Sequence, residues 1–148
     1  MRVGPSRPLT TVGGVDTFLH LSLPVLDLDD SLAFYVDVLQ CTPGRHRPDQ
    51  GFADVWFYGL QLTLQHQPDQ VIGAEQQGAR HFGAALPPEE LAAAIDRLRA
   101  ASVTWVVHPT TDTAGHLDGK TSAKFLDPSG NVIELKTYPR GRADIVGD

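Results

Sequence analysis

At 148 residues, with 41% hydrophobic and 20% charged side chains, the chain has the size and composition of one globular domain and is too apolar to be a disordered polymer. A formal net charge of −6 with no run of Lys or Arg argues against a nucleic-acid partner or an anionic membrane surface, since both are held by clustered cations. A single cysteine, Cys41, excludes an internal disulfide, and no segment reaches the roughly 20 apolar residues of a membrane span, so a cytoplasmic protein is expected.

Residues 1–15, rich in Gly, Pro and Thr and without the apolar stretch of a signal peptide, read as a loose leader, and 139–148 as a polar tail. Between them, 16–138 read as a single domain built from two similar units, about 17–66 and 80–138. The first unit opens with a strand over 17–23, where Leu19, Leu21 and Leu23 alternate with Phe18, His20 and Ser22 and Pro24 is expected to end it. A helix follows, with Asp27 or Asp29 as N-cap and Leu28, Leu32, Tyr35, Val36 and Leu39 on one face. A second strand is expected within 41–47, and two more over 52–58 and 60–65 turn tightly near Gly59.

The second unit repeats this order. A short strand spans 81–86, and Pro87, Pro88, Glu89 and Glu90 open a helix whose buried stripe is Leu91, Ile95 and Leu98. A β-branched strand over 103–107 is expected to stop at Pro109. Strands 120–126 and 132–137 then form a hairpin around Asp127, Pro128, Ser129, Gly130 and Asn131. Strand, helix and three strands, twice, predict an α+β fold of tandem βαβββ units with mixed sheets around a half-open cavity.

Side chains alternate across a strand, so parity sorts them by face. The leucines of the first strand are odd-numbered, which puts His20 on the opposite face. In the last strand of that unit Leu60, Leu62 and Leu64 leave Gln61, Thr63 and Gln65 opposite. In the second unit His81 opposes Phe82, Ala84 and Leu86, and Glu134 opposes Ile133 and Leu135. His20 and His81 thus lie on the first strand of their units, and Gln65 and Glu134 on the last. Two imidazoles and a carboxylate on rigid sheets are a donor set that leaves metal positions open for substrate or O₂, with Gln65 as a weaker fourth oxygen. The competing reading is an ordinary His81–Glu134 salt bridge and a hydrogen-bonding Gln65 in a polar cleft. His46, between Arg45 and Arg47, reads as part of a basic loop, Cys41 as a small hydrophobe, Asp127 as a turn former, and His66 as facing the leucine side.

The stretch Phe18-Leu19-His20-Leu21-Ser22-Leu23-Pro24-Val25, the helix with Ala33-Phe34-Tyr35, His81-Phe82-Gly83, and the closing Leu126-Asp127-Pro128-Ser129-Gly130-Asn131-Val132-Ile133-Glu134-Leu135 resemble the landmarks of the vicinal oxygen chelate superfamily of glyoxalases, bleomycin-resistance proteins and extradiol dioxygenases. The resemblance spans about residues 17–138. It implies His20, His81 and Glu134 as ligands of a divalent metal, Fe(II) first with Zn, Mn, Ni or Co as alternatives, a small catechol-like substrate and a homodimer. The tyrosine expected on the strand before the glutamate is missing from Thr121-Ser122-Ala123-Lys124-Phe125. The set His20, Gln65, His81 and Glu134 instead resembles that of the redox-neutral epimerases and lyases, in which Glu134 would exchange a proton. His116 is the candidate acid–base residue, and a non-catalytic antibiotic-binding module is the third reading.

Overall fold

The computed structural model describes residues 16–115 and 117–146; the expected leader and His116 lie outside them. Its elements are β1 (Leu19–Val25), α1 (Leu28–Ala33), β2 (Thr42–Arg47), β3 (Phe52–Phe57), β4 (Leu60–His66), β5 (Phe82–Ala85), α2 (Pro88–Ala100), β6 (Trp105–Thr111), β7 (Thr121–Leu126) and β8 (Val132–Thr137). They form two four-stranded sheets of the same topology, β1-β4-β3-β2 and β5-β8-β7-β6, with β1 parallel to β4 and β5 parallel to β8. The tandem βαβββ expectation is met.

Several boundaries differ from the sequence reading for a common reason. Pro24 and Pro109 do not end strands; β1 and β6 run through them. Both are edge strands, where a residue without an N–H leaves only the outer side of the ladder unpaired. The basic segment Arg45-His46-Arg47 is likewise no loop but the outer half of edge strand β2, exposed along its whole length. Asp27 is the N-cap of α1, its carboxylate accepting from the Asp30 N–H at 2.8 Å. The α1 chain then widens into a π-helical turn over Phe34–Val38. The β3–β4 hairpin turns through Tyr58 at φ 48° and Gly59 at φ 87°, the left-handed pair a two-residue turn requires. Within the polar tail Gly141–Asp144 form a 3₁₀ turn.

The core decides how the two units sit together. Val55, Phe57, Leu62 and Leu64 of the first sheet and Phe125, Ile133 and Leu135 of the second belong to one buried cluster with Phe34, Tyr35, Leu91 and Leu98 of the helical segments. Each sheet has only one apolar face, and both are spent on this shared interior. The polar faces therefore point away from the common core, one on each side.

Polar ties lock the units in place. The Tyr35 hydroxyl donates to Asp127 Oδ2 at 2.8 Å, and the same carboxylate accepts the Ser129 and Asn131 N–H groups at 2.9 Å each. Asp127 is thus the turn former the sequence suggested, and also a buried anchor for the first unit's helix. Burial and the neighbouring Asp127 charge push the Tyr35 phenol well above its ordinary range, so it stays a donor. Leu26 N–H donates to Ser129 Oγ at 2.8 Å and Arg97 Nε to the Val38 carbonyl at 2.8 Å. We expect Tyr35→Phe to lower unfolding free energy by about 1–3 kcal/mol in urea titration, because it strands part of a buried carboxylate. A change too small to measure would show that this bond does not hold the units together.

Candidate metal centre

On the second sheet's polar face, His81 stands just before β5 and Glu134 sits in the middle of β8, beside Gly83 in the parallel register. His81 Nδ1 lies 2.8 Å from the Ala79 carbonyl oxygen. A carbonyl can only accept, so Nδ1 carries the proton and Nε2 is turned into the site. Nε2 is 2.9 Å from Glu134 Oε2, and the Glu134 side chain is only 11% exposed. A neutral imidazole nitrogen and a carboxylate oxygen are both acceptors. They hold that distance only with a proton or a cation between them.

Gly83 makes the approach possible. A Cβ at this position would stand 1.7 Å from the Glu134 carbonyl oxygen, so no other residue lets β5 lie this close to β8. Around the pair lies a small cleft of about 170 Å³ lined by His81, Gly83, Ala85, Glu134 and Lys136.

The first sheet's polar face carries His20, Gln61 and Trp56 in one row across β1, β4 and β3, and Ser22, Thr63 and Asp54 in the next. His20 is exposed, and its Nδ1 is 3.2 Å from the Gln61 carbonyl oxygen, which again leaves Nε2 free. Asp54, 3% exposed, receives Arg45 Nε and the Thr63 hydroxyl, the latter at 2.7 Å. Burial raises the Asp54 carboxyl, but the bonds from Arg45, Thr63 and Gln61 and the Arg45 charge outweigh it and hold it below the usual carboxylate range. The sequence marked Arg45 only as part of a basic segment and did not mark Asp54. Strand parity does put Asp54 on a face with Phe52 and Trp56, and that was the available signal.

The register also ranks the oxygen candidates. In the second sheet Phe82 pairs with Ile133 and Gly83 with Glu134, so His81 precedes Glu134 by two rows. In the first sheet His20 pairs with Gln61, so the position corresponding to Glu134 is Thr63. Gln65 lies opposite Pro24, about 13 Å along β4 from the His20 row, and donates to Ser22 Oγ. Thr63 is already committed as a donor to Asp54. The structure thus brings His81 and Glu134 together and leaves His20 and Gln65 on the other sheet, in a separate cleft of about 310 Å³. Among the described residues no three His, Cys, Asp or Glu side chains gather around one point within the chain. Cys41 is buried and burial pushes its thiol up to about 12, consistent with an inert core residue.

A family model described as "Glyoxalase/Bleomycin resistance protein/Dioxygenase superfamily" matches residues 17–135. No curated protein matches the chain. Among solved structures, a glyoxalase/bleomycin resistance protein/dioxygenase from Alicyclobacillus acidocaldarius superposes with a TM-score of 0.71 at 24% identity, over 82% of this chain and 91% of that one. The fosfomycin resistance protein FosX from Listeria monocytogenes gives 0.67 at 17% identity, over 83% and 93%. A lactoylglutathione lyase from Agrobacterium tumefaciens gives 0.59 at 18%, over 84% and 95%. At these identities the solved structures establish the shared fold.

Two outcomes follow from this geometry. Because the Asp54 carboxyl is depressed in the folded state, its contribution to stability is complete above the ordinary carboxylate pKa and lost as pH falls through the lower, folded value. Asp54→Asn should therefore flatten the acid side of the stability profile below about pH 4, and an unchanged profile would show that the Asp54 network contributes nothing there. Gly83→Ala should destabilise by about 2 kcal/mol or more and separate His81 from Glu134; chemical denaturation and a crystal structure of the variant check both.

Proposed function

Starting from a chain that belongs to the Glyoxalase/Bleomycin resistance protein/Dioxygenase superfamily, we propose a mononuclear metal enzyme that chelates its substrate through two neighbouring oxygens, acting as an extradiol-type dioxygenase on a catechol-like compound. The observation that carries this reading is the His81–Glu134 pair, an exposed imidazole and a buried carboxylate whose Nε2 and Oε2 converge to 2.9 Å. A divalent cation, Fe(II) first, fits two imidazoles and a carboxylate, and when bound would orient the substrate oxygens and stabilise the charge left when a substrate proton departs. The third ligand in this reading is His20 from a second copy of the chain. Its Nε2 is free, and β1 has an unpaired edge with Phe18 and Leu19 exposed beside it. A homodimer that lays the first sheet of one copy against the second sheet of the other gives two equivalent sites.

The ligand count favours open coordination positions. Thr63, not an acid or amide, occupies the place matching Glu134, and its hydroxyl is used on Asp54. Three protein ligands suit chemistry in which substrate and O₂ both need access, and the four-ligand lyase set is less well supported. The chain's own residues then act by positioning: the Ala79 and Gln61 carbonyls fix the two imidazoles, and the cleft against β5 leaves Glu134 largely out of water. A redox-neutral reading draws on one observation, that Lys124 and not a tyrosine or histidine faces Glu134 across β7 and β8.

Anaerobically purified protein should carry about one metal ion per chain, lost in His81→Ala, and should consume O₂ with catechols when iron is bound. Mixing His20→Ala with Glu134→Ala should give heterodimers with one intact and one doubly defective site, hence about half the metal content, whereas each parent alone holds little. Equal metal content in wild type and His81→Ala would overturn the assignment, and O₂-independent turnover would move it to the redox-neutral reading.

A further inference from the structure

The wall around Glu134 carries more positive charge than one carboxylate can absorb. Lys124 is the direct register partner of Glu134 across β7–β8, which places their Cβ atoms about 5 Å apart on the same face. Lys136 follows on β8 two residues later, with Nζ at 4.0 Å from Glu134 Oε1 and 5.5 Å from the centre of the Tyr138 ring. Both lysines are half-buried rather than splayed into solvent. Lys124 has no ion-pair partner among the described residues, and the corresponding charges on the first sheet, Arg45 and Asp54, already neutralise each other.

A metal ion at His81 and Glu134 adds two positive charges and takes up the one carboxylate. Two lysines, one glutamate and a divalent ion leave this face of the sheet with a formal charge of +3, with Glu134 and Lys136 lining the cleft and Lys124 beside Glu134 in register. Charge of that density is balanced most directly by the ligand itself. In the proposed dimer the first sheet of the second copy brings Trp56, in the same row as His20, with Phe18 packed edge-on against it at 5.3 Å. Two aromatic side chains at that position offer apolar contact to a ring.

We infer that Lys124 and Lys136 select a substrate that bears a carboxylate in addition to its two chelating oxygens, an aromatic acid rather than a neutral diol; this deepens the metal-enzyme reading and rests on it. Lys124 is the specificity residue for the acidic group because it has no competing intramolecular partner, and Lys136 acts beside it. Neither lysine is asked to move a proton.

The test uses Co(II)-loaded protein under anaerobic conditions, with catechol and 3,4-dihydroxybenzoate as probes and both the Co(II) absorption bands and calorimetry as readouts. Wild type should bind 3,4-dihydroxybenzoate at least about tenfold more tightly than catechol, as expected for one charge-assisted contact in a sheltered site. In Lys124→Met the ratio should fall toward unity with Co(II) content retained, Lys136→Met should reduce it partially, and Lys124→Arg should restore most of it. Full Co(II) binding with no preference in wild type, or a preference that survives Lys124→Met and Lys136→Met together, overturns the inference and leaves the metal site standing. Absence of stoichiometric Co(II) in wild type overturns both.

Discussion

Each sheet in this chain has one apolar face, and both apolar faces must be removed from water by the same pair of helices. Burying Val55, Phe57, Leu62 and Leu64 together with Phe125, Ile133 and Leu135 in one cluster satisfies that demand within a single chain. The consequence is that the two polar faces look outward on opposite sides. His20 is on one of them and His81 with Glu134 on the other. The packing that makes the monomer stable is thus the reason these side chains are divided between two faces, and in the proposed dimer a second copy would supply the missing half without any rearrangement of the core.

Within each sheet the register does the finer work. The close parallel pairing of β5 with β8 depends on Gly83 having no side chain, and it sets His81 against Glu134. The matching register in the first sheet puts Thr63 where Glu134 would be, and Thr63 is bound into the Asp54–Arg45 network. The two units have kept the same backbone plan and diverged in what the plan holds. One sheet carries a buried carboxylate flanked by lysines, the other a neutralised Arg–Asp pair and an aromatic surface. A site assembled from both faces is chemically asymmetric although its scaffold is a repeat.

Most of the architecture was legible because the period-2 patterns were clean. Leu19 to Leu23, Leu60 to Leu64 and Val132 to Leu135 assigned faces correctly, and the repeat of strand, helix and three strands followed from turn signals. Boundaries at Pro24 and Pro109 were misplaced because proline stops a strand only where both ladder sides are used, and edge position is a property of the sheet, not of the local sequence. Register is equally non-local: nothing in Leu60-Gln61-Leu62-Thr63-Leu64-Gln65 says which of three polar residues lines up with His20, so Gln65 looked equivalent to Glu134 until the pairing with β1 was known. The same holds for Asp54, whose partners Arg45 and Thr63 come from the two neighbouring strands. Periodicity likewise identifies the apolar face of each strand but not how the polar faces of the two sheets are placed, so the separation of His20 from His81 and Glu134 within the chain was not readable from the pattern.

If the metal is shared between two copies, metal binding and dimerisation are one linked equilibrium, and each must strengthen the other. Sedimentation equilibrium of the metal-free and metal-loaded protein across a wide concentration range measures that linkage directly. The account predicts that a divalent metal tightens the dimer in wild type, that one ion binds per chain only where the dimer forms, and that His81→Ala abolishes the tightening. A monomer that binds one equivalent of metal tightly at concentrations too low for any dimer would contradict it.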